Sequence, residues 1–348
     1  MNENILEVSH LLQHFKVNRK EVVHAVDDVS FTIRRGQTLG LVGESGCGKS
    51  SCARSIIRVY DPTGGTVILD GEDITHMSQK ELQPRRRKMQ MIFQDPYASL
   101  NSRMTVRDII AEPLLAHHVV NNKEEANDYV YPMLERVGLT REHASRYAHE
   151  FSGGQRQRVG IARALILQPD LVICDEPISA LDVSIQAQIV NLLRDYQEEK
   201  GISYLFIAHD LSMVRYMSDE VGVMYLGQLV ELCEAEEIYE HPLHPYTQGL
   251  LSSIPVADPK LTRKKKKSGI EGDLPSPVTP PSGCRFHTRC PFAKESCKEQ
   301  MPQMREVSSG HAVACHLYPV HGNEKNRKDM VGGIMDQVEK NSEEKREK

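Results

Sequence analysis

The first 255 residues alternate between short apolar runs and longer amphipathic stretches. Three runs, at 89–93, 171–174 and 204–208, have the length and apolar composition of buried parallel strands. In the stretches between them, apolar residues recur at helical spacing. The predicted helices cover 123–137, 155–167 and 185–200. Strands that alternate with helices in this way predict an α/β domain with a parallel sheet.

Two stretches closer to the N-terminus have a different pattern. Residues 8–33 contain short alternating or β-branched runs, and residues 64–71 form a β-rich run with glycines on both sides. Runs of this kind, bounded by turn residues, are typical of antiparallel strands. We therefore expect an antiparallel β-region beside the parallel sheet.

The composition changes after Pro255. A basic run at 263–267 is followed by prolines between 275 and 281, which predicts a charged, proline-stiffened linker rather than a surface for acidic lipids. The last residues are highly charged and lack aromatic side chains, as in disordered or weakly helical tails. The expected divisions are a main domain over 1–255, a linker over 256–283, a cysteine-bearing segment over 284–320 and a tail over 321–348.

Charge and the length of the apolar runs exclude several classes of protein. Lys and Arg total 43 against 48 Asp and Glu, a net charge of -5, so no global basic field favours nucleic acid as a partner. No apolar run approaches the about 20 residues of a membrane-spanning helix. Because the N-terminus also lacks a secretory signal, we expect an intracellular protein, in which clustered cysteines indicate metal before disulfides.

Residues 43–50 match the phosphate-loop pattern G-x-x-x-x-G-K-[ST]. They lie between a predicted strand at 39–42 and a predicted helix at 51–59, which is the context that the motif requires. Inward backbone N–H groups and the helix N-terminus attract phosphates, Lys49 is expected to reach the β- and γ-phosphates, and Ser50 to ligate Mg²⁺. The candidate nucleotide-binding residues are Gly43, Glu44, Ser45, Gly46, Cys47, Gly48, Lys49, Ser50 and Ser51.

Two carboxylates, Asp175 and Glu176, close the apolar run at 171–174. At the C-terminal end of a parallel strand, both would lie beside the phosphates. Asp175 is then expected to support the magnesium shell, and Glu176 to polarise the attacking water. A surface Asp-Glu pair is the weaker interpretation, because an apolar strand delivers both residues.

Further motifs accompany the phosphate loop. Gln94 comes first after it, residues 152–155 then read Ser-Gly-Gly-Gln, and Asp175-Glu176, the stretch 179–182 and His209 come after them. Taken together and in this order, these motifs resemble those of the ATP-binding cassette (ABC) family, whose signature is the Ser-Gly-Gly-Gln sequence. The resemblance implies a P-loop NTPase of the ABC type, with a RecA-like core, an antiparallel β subdomain and a helical subdomain at about 96–160. A small C-terminal module containing cysteines would complete this α/β fold.

The resemblance also implies roles for individual side chains. The signature would contact the γ-phosphate of ATP held by a second subunit, His209 would contact the γ-phosphate, and Gln94 would sense Mg²⁺ and water. Phe15 is the candidate for stacking on adenine, although a buried strand Phe fits nearly as well. The residues assigned in this way are Phe15, Gln94, Ser152, Gly153, Gly154, Gln155, Asp182 and His209. The candidate catalytic set is Lys49, Gln94, Glu176 and His209, and the magnesium set is Ser50, Gln94 and Asp175.

Residues 89–101, 177–188 and 241–247 are similar to ATPase subunits of oligopeptide and dipeptide permeases, especially the F-type oligopeptide subunit. This implies a bacterial importer that uses ATP and Mg²⁺ and comprises a paralogous second ATPase, two transmembrane permease subunits and an extracellular peptide-binding protein. The chain would sit peripherally on the cytoplasmic face of the membrane. A dipeptide or nickel importer and a soluble ABC ATPase are the alternatives. Peptide transport gives no physical reason for the histidine-proline motif at 241–247.

Four cysteines lie close together after the linker, with 5, 6 and 17 residues between them: Cys284, Cys290, Cys297 and Cys315. The segment has few large apolar side chains, so the cysteines suggest a metal-ligand set, and zinc with His287 or His316 stays open. The resemblance to peptide-permease ATPases with this tail implies a structural [4Fe–4S] cluster. Free buried thiols are the alternative. The other cysteines, Cys47, Cys52, Cys174 and Cys233, are interpreted as packing residues.

Overall fold

The structure of the chain, a computed structural model, describes residues 3–179, 181–253, 270 and 272–318. The basic run at 263–267 and the tail at 321–348 lie outside the described residues, so the conformations expected for them stay predictions. Within the described part, two β-sheets form layers with helices between and around them.

The first sheet is antiparallel and lies at the N-terminal side of the molecule. Its strands are β1 (Asn4–Lys16), β2 (Val22–Arg34), β4 (Gly64–Leu69) and β5 (Glu72–Asp73), in the order β2-β1-β4-β5. Along β2, Val29, Phe31 and Ile33 are buried while the residues between them are exposed. This alternation gives the sheet one apolar face, and that face packs on helix α1 (Lys49–Ile56).

The second sheet has eight strands and carries the parallel core. Besides β3 (Thr38–Val42), its strands are β6 (Met89–Ile92), β7 (Leu171–Asp175), β8 (Ser203–Ile207), β9 (Glu220–Tyr225), β10 (Gln228–Glu234), β11 (Arg305–Ser308) and β12 (His311–Val313). Their order is β11-β12-β10-β9-β3-β8-β7-β6. The strands from β9 to β6 run parallel, and β10, β12 and β11 continue the sheet antiparallel. Every residue of β3, β7 and β8 is buried, as their unbroken apolar runs predict.

Helices connect the parallel strands, and those that come between β6 and β7 in the sequence form a separate layer. After α1 the chain has α2 (Gln79–Arg86), α3 (Pro96–Ser99), α4 (Val106–Ala116), α5 (Lys123–Arg136), α6 (Gly153–Leu165), α7 (Val183–Lys200), α8 (Leu211–Met217), α9 (Ala235–Glu240), α10 (Pro245–Ser252) and α11 (Glu295–Glu299). The helices α3 to α6 form the helical layer, where α4 packs on α5 and α6. The described part is therefore an α/β fold that combines a parallel core sheet, an antiparallel β-region and a layer of helices that follows β6 and precedes β7 in sequence.

The predicted helices and parallel strands appear within about three residues of their expected ends, and the differences have local causes. The helix predicted over 155–167 begins at Gly153, because Ser152 forms its N-cap. The helix predicted over 51–59 covers Lys49–Ile56 instead. It cannot extend to Val59, because Arg58 adopts a left-handed backbone with φ of 59°.

The cysteine-bearing segment is not a module that stands apart from the main domain. Its strand β12 pairs with β10 and so extends the large sheet. Phe286 is buried against Tyr225 and Tyr246, with ring centroids at 5.2 and 5.5 Å. The segment therefore needs no core of its own, because the main domain supplies the apolar surface that the segment lacks.

No helix among the described residues is long and apolar enough to cross a membrane.

Candidate nucleotide-binding and hydrolysis site

The phosphate loop connects the end of β3 to the start of α1, as its sequence predicts. Two of its glycines are required by the backbone. Gly43 has φ of 152°, and a Cβ there would lie 2.1 Å from the carbonyl oxygen of Met224. Gly48 has φ of 108°, and a Cβ there would lie 2.1 Å from the carbonyl oxygen of Ala25. Any larger residue at either position would displace backbone, so this conformation of the loop requires glycine at both positions.

Lys49 is almost fully buried, with 4% of its surface exposed, and its ammonium group closes the loop. Its Nζ donates hydrogen bonds to the carbonyl oxygens of Gly43 at 2.8 Å and Glu44 at 3.1 Å. The Cys47 side chain is buried as well, and burial raises the pKa of its thiol. Lys49 therefore places its charge in the loop, whereas Cys47 offers a phosphate only its backbone.

The side chains predicted to hold magnesium are in contact with each other. The Ser50 hydroxyl donates to Asp175 Oδ1 at 2.7 Å. Asp175 is fully buried at the end of β7, and its Oδ2 has no hydrogen-bond partner, although Arg54 lies 3.6 Å away. Desolvation raises the pKa of Asp175. A hydroxyl oxygen and an unsatisfied carboxylate oxygen are the hard ligands that Mg²⁺ prefers, so the residues present fit this ion.

Three residues predicted to act on water and the γ-phosphate meet at the end of the sheet. Gln94 Nε2 donates to Glu176 Oε2 at 2.6 Å, and His209 Nδ1 lies 3.7 Å from the same oxygen. Glu176 has a left-handed backbone with φ of 46°, and its N–H donates to the Ile207 carbonyl oxygen at 3.0 Å. A non-glycine residue held in this region is strained, and such strain is concentrated at functional sites.

The signature motif begins α6 and is open to solvent on one side. The Ser152 hydroxyl accepts from the Gln155 N–H at 3.3 Å, and the Gln155 side-chain oxygen accepts from the Ser152 N–H at 3.1 Å. This capping box leaves the N–H groups of Gly153 and Gly154 without side-chain acceptors. A Cβ at Gly153 would meet no atom within 4 Å. Packing inside this chain therefore does not explain the glycine at 153.

The three other predicted nucleotide contacts lie on the surrounding elements. Phe15 is half-buried at the end of β1 and meets the Tyr60 ring edge to face, with centroids 5.1 Å apart. Asp182 is exposed and begins α7. The Ser51 carbonyl oxygen accepts from the Ser55 hydroxyl inside α1. The structure does not bring these residues into a cluster with Glu176, and their parts in nucleotide binding stay predictions.

Two residues from the C-terminal part of the chain, which the sequence motifs do not assign to the site, bind the phosphate loop. The Tyr246 hydroxyl accepts from the Glu44 N–H at 2.8 Å, across 202 positions of sequence. Arg289 donates two hydrogen bonds to the Glu44 carboxylate, at 2.8 and 3.0 Å, across 245 positions. Sequence periodicity cannot pair residues at such separations, although the histidine-proline motif that contains Tyr246 was a visible signal.

The geometry gives the motif at 241–247 a structural role. The fully buried carboxylate of Glu231 accepts hydrogen bonds from the N–H groups of Leu243 at 2.6 Å and His244 at 2.9 Å, and His311 Nε2 lies 2.8 Å from it. Burial lowers the pKa of His244 to about 4, so its Nδ1 is free to accept from the Tyr246 N–H at 3.1 Å. The motif therefore folds around Glu231 and presents Tyr246 to the phosphate loop.

The four clustered cysteines lie partly buried in the C-terminal segment. Burial raises the pKa of Cys290 and of Cys315 to about 12, which favours protonated thiols. The two candidate zinc histidines each have one ring nitrogen against a backbone carbonyl oxygen, His287 Nδ1 against that of Cys284 and His316 Nε2 against that of Gln300. In the part of the chain that the structure describes, the only group of three potential ligand atoms within 4.8 Å of one another is His14, His24 and Asp27.

The chain is similar to known proteins, and the similarity includes the phosphate loop, the signature and Glu176 of this site. Residues 26–179 match the family model for the ABC transporter, and residues 230–297 match the model for the C-terminal region of oligopeptide/dipeptide transporters. The chain belongs to the ABC transporter ATPases. Within them, it carries the C-terminal region of the oligopeptide/dipeptide group, whose members at this level of similarity are described as oligopeptide transport ATP-binding proteins.

Two such relatives come from Bacillus subtilis. The oligopeptide transport ATP-binding protein OppF is 55% identical, over 90% of this chain and 97% of its own length. The oligopeptide transport ATP-binding protein AppF is 54% identical, over 91% of this chain and 98% of its own. Among solved structures, the dimeric post-hydrolysis state of the ATP-binding cassette MJ0796, bound to ADP and phosphate, has a TM-score of 0.62 and 27% identity. It covers 66% of this chain and 98% of the MJ0796 chain.

The prediction of a [4Fe–4S] cluster on Cys284, Cys290, Cys297 and Cys315 is wrong. The matched families and relatives are described as ABC transporter and ATP-binding proteins, and ABC ATPases of this kind do not carry such a cluster. The segment cannot bury a core by itself, but it needs no metal to become ordered, because β12 joins the large sheet and Phe286 enters the main core. The interpretation as buried thiols takes its place.

Proposed function

We propose that this chain hydrolyses MgATP as the energy-supplying subunit of an ABC importer for oligopeptides. The observation that carries the proposal is the meeting of Gln94, Glu176 and His209 beside the contact between Ser50 and Asp175. A base, a water-orienting amide and a γ-phosphate contact at the edge of one sheet are the parts that ATP hydrolysis needs.

The chemistry follows from these positions. Lys49 leaves the Gly43 and Glu44 carbonyl oxygens to bind the phosphates, and Gln94 orients a water in line with the γ-phosphorus. Glu176 accepts a proton as the water oxygen bonds to that phosphorus and the bond to the β–γ bridging oxygen breaks, which releases ADP and phosphate. Ser50 and Asp175 would hold Mg²⁺, which supplies neutralisation of the developing charge.

The signature supports a reaction completed by a second ATPase subunit. The N–H groups at the start of α6 form an anion site, and the open space at Gly153 lets another surface approach the bare backbone. Binding of ATP between two subunits then stabilises a closed dimer through contacts that exist only when it is closed. We infer that the second subunit is a paralogue, so that the pair is a heterodimer.

The transported substrate and the further partners are inferred from the family. The relatives are described as oligopeptide transport ATP-binding proteins, and their similarity spans the C-terminal region as well as the cassette. We infer two membrane permease subunits, an extracellular peptide-binding protein, and a peripheral position on the cytoplasmic face of the membrane. A nickel importer of the same family is the alternative to this assignment.

An uptake experiment tests the transport assignment. Deletion of the gene from an amino-acid auxotroph is expected to abolish growth on an oligopeptide that contains the required amino acid, because energised import stops. Growth on the free amino acid is the control and stays normal. The tagged chain is expected to co-purify with two polytopic subunits. Normal growth on the peptide together with loss of nickel uptake would reject the oligopeptide assignment.

Gly153→Asp separates folding from partner-dependent catalysis. An acidic residue in the first turn of α6 suits the helix dipole, so the thermal midpoint of the purified chain should be unchanged or slightly raised. The same carboxylate would repel the γ-phosphate presented by the partner subunit, and ATP turnover of the assembled transporter should fall by about 100-fold or more.

The matched control for this variant is Gln79→Asp, which puts the same charge on the exposed first residue of α2. Its turnover should equal that of the wild type. Wild-type turnover of Gly153→Asp in the assembled transporter would contradict the role of the signature.

A further inference from the structure

The phosphate loop contains a carboxylate where an anionic ligand must bind. Glu44 directly follows Gly43, and its backbone carbonyl is one of the two acceptors that hold Lys49. Its side chain is about a quarter exposed, so water screens it only in part. A free negative charge here would oppose the binding of a triphosphate.

Arg289 removes this conflict. Its two guanidinium N–H groups reach the two oxygens of the Glu44 carboxylate, the bidentate geometry in which arginine binds carboxylates most strongly. The Arg289 side chain is 7% exposed, and its guanidinium carbon lies 5.9 Å from the centre of the Tyr225 ring. Because the arginine is largely buried and the carboxylate partly so, salt screens their interaction less than that of a fully exposed surface pair.

The segment that carries Arg289 is fixed beside the loop by independent contacts. The buried Arg285 side chain binds the Asp27 carboxylate and the Leu226 carbonyl oxygen. Gly227, which follows Leu226 in the turn between β9 and β10, donates its N–H to the Cys47 carbonyl oxygen in the phosphate loop at 2.7 Å. The Pro277 carbonyl oxygen accepts from the His24 N–H at 3.0 Å. These contacts therefore fix the position of the segment from which Arg289 reaches Glu44.

We propose that Arg289 is a positioning residue for ATP binding: it neutralises Glu44 and fixes that side chain, so that the phosphate loop presents net positive charge to the triphosphate. The inference rests on the proposed ATPase function. It assigns part of the chain's affinity for ATP to the C-terminal segment. Arg289 acts through Glu44 and needs no contact with the nucleotide itself.

A double-mutant cycle on the full-length chain tests the proposal, with binding of a fluorescent ATP analogue and Mg²⁺ as the readout. Arg289→Gln leaves the Glu44 charge unpaired and should weaken binding about tenfold. Glu44→Gln removes the charge and should bind at least as tightly as the wild type. The double variant Glu44→Gln/Arg289→Gln should bind like Glu44→Gln alone, which reverses the defect of the single variant.

Two further variants distinguish a specific effect on nucleotide binding from a general loss of folding. Arg289→Lys keeps the charge and should retain most of the affinity, and Lys298→Gln removes an exposed charge from the same segment and should match the wild type. In the assembled transporter, Arg289→Gln should raise KM for ATP and leave kcat at saturating ATP unchanged. The proposal is overturned if Arg289→Gln binds like the wild type, if the double variant is as weak as Arg289→Gln, or if Arg289→Lys is. A wild-type chain that binds no nucleotide would reject the ATPase function instead.

Discussion

Replacement of Glu176 by Gln is expected to stop ATP turnover while ATP binding persists. The amide preserves the size of the side chain and its place beside Gln94 and His209, but it cannot accept a proton from the attacking water. Loss of a general base costs about 10²–10⁴ in rate, so turnover in the assembled transporter should fall by about 1,000-fold. Phosphate release measures the rate, and binding of a fluorescent ATP analogue measures the affinity.

The same variant should accumulate an ATP-bound dimer, because closure no longer ends in hydrolysis. Size-exclusion chromatography with the partner ATPase and MgATP would detect it. Glu199→Gln is the matched control, since Glu199 pairs with Arg136 on the surface, and it should turn over ATP at the wild-type rate. If Glu176→Gln keeps wild-type turnover, another group removes the proton and the assignment of the base fails.

Of the substitutions proposed, replacement of Glu231 by Ala is expected to lower the free energy of unfolding the most. The buried carboxylate binds the N–H groups of Leu243 and His244 and the His311 side chain, and all three would lose their acceptor without gaining water. Breaking a buried charged network in this way costs about 3–5 kcal/mol of the free energy of unfolding. Urea denaturation followed by circular dichroism measures the change.

Glu234→Gln is the control for that prediction, because Glu234 ends the same strand with an exposed side chain. Its denaturation midpoint should change little. The Glu231→Ala chain that still folds should also bind ATP more weakly, since the motif no longer holds Tyr246 against Glu44. A midpoint for Glu231→Ala equal to that of Glu234→Gln would contradict the anchoring role of the buried carboxylate.

The parts of the site that the sequence predicts are those set by local geometry. A glycine-rich loop between a strand and a helix can fold in few ways, so the positions of Lys49 and Ser50 follow from the motif. Asp175, Gln94 and His209 each come at or just after a buried parallel strand, and the C-terminal ends of such strands meet at one edge. Their approach to one another could therefore be expected before the structure.

The parts that the sequence does not predict depend on long-range packing. Arg289 and Tyr246 reach Glu44 across more than half of the chain, and no periodicity relates them. The order of the cysteine segment has the same origin. Its own apolar residues are few, and it becomes ordered because Phe286 shares a buried aromatic cluster with Tyr225 and Tyr246 of the main domain.

Glu44 is far in sequence from Tyr246 and Arg289, the two residues that bind it, and this separation has a consequence during synthesis. A ribosome adds about 5–20 residues per second, so Arg289 follows Glu44 by roughly 12–50 s. Until Arg289 is added, the phosphate loop of the nascent chain has a carboxylate without its arginine partner, and until Tyr246 is added the Glu44 N–H also lacks the Tyr246 hydroxyl. An incomplete chain should thus compete poorly for cellular ATP and for a partner ATPase, and nucleotide binding becomes a property of the finished polypeptide.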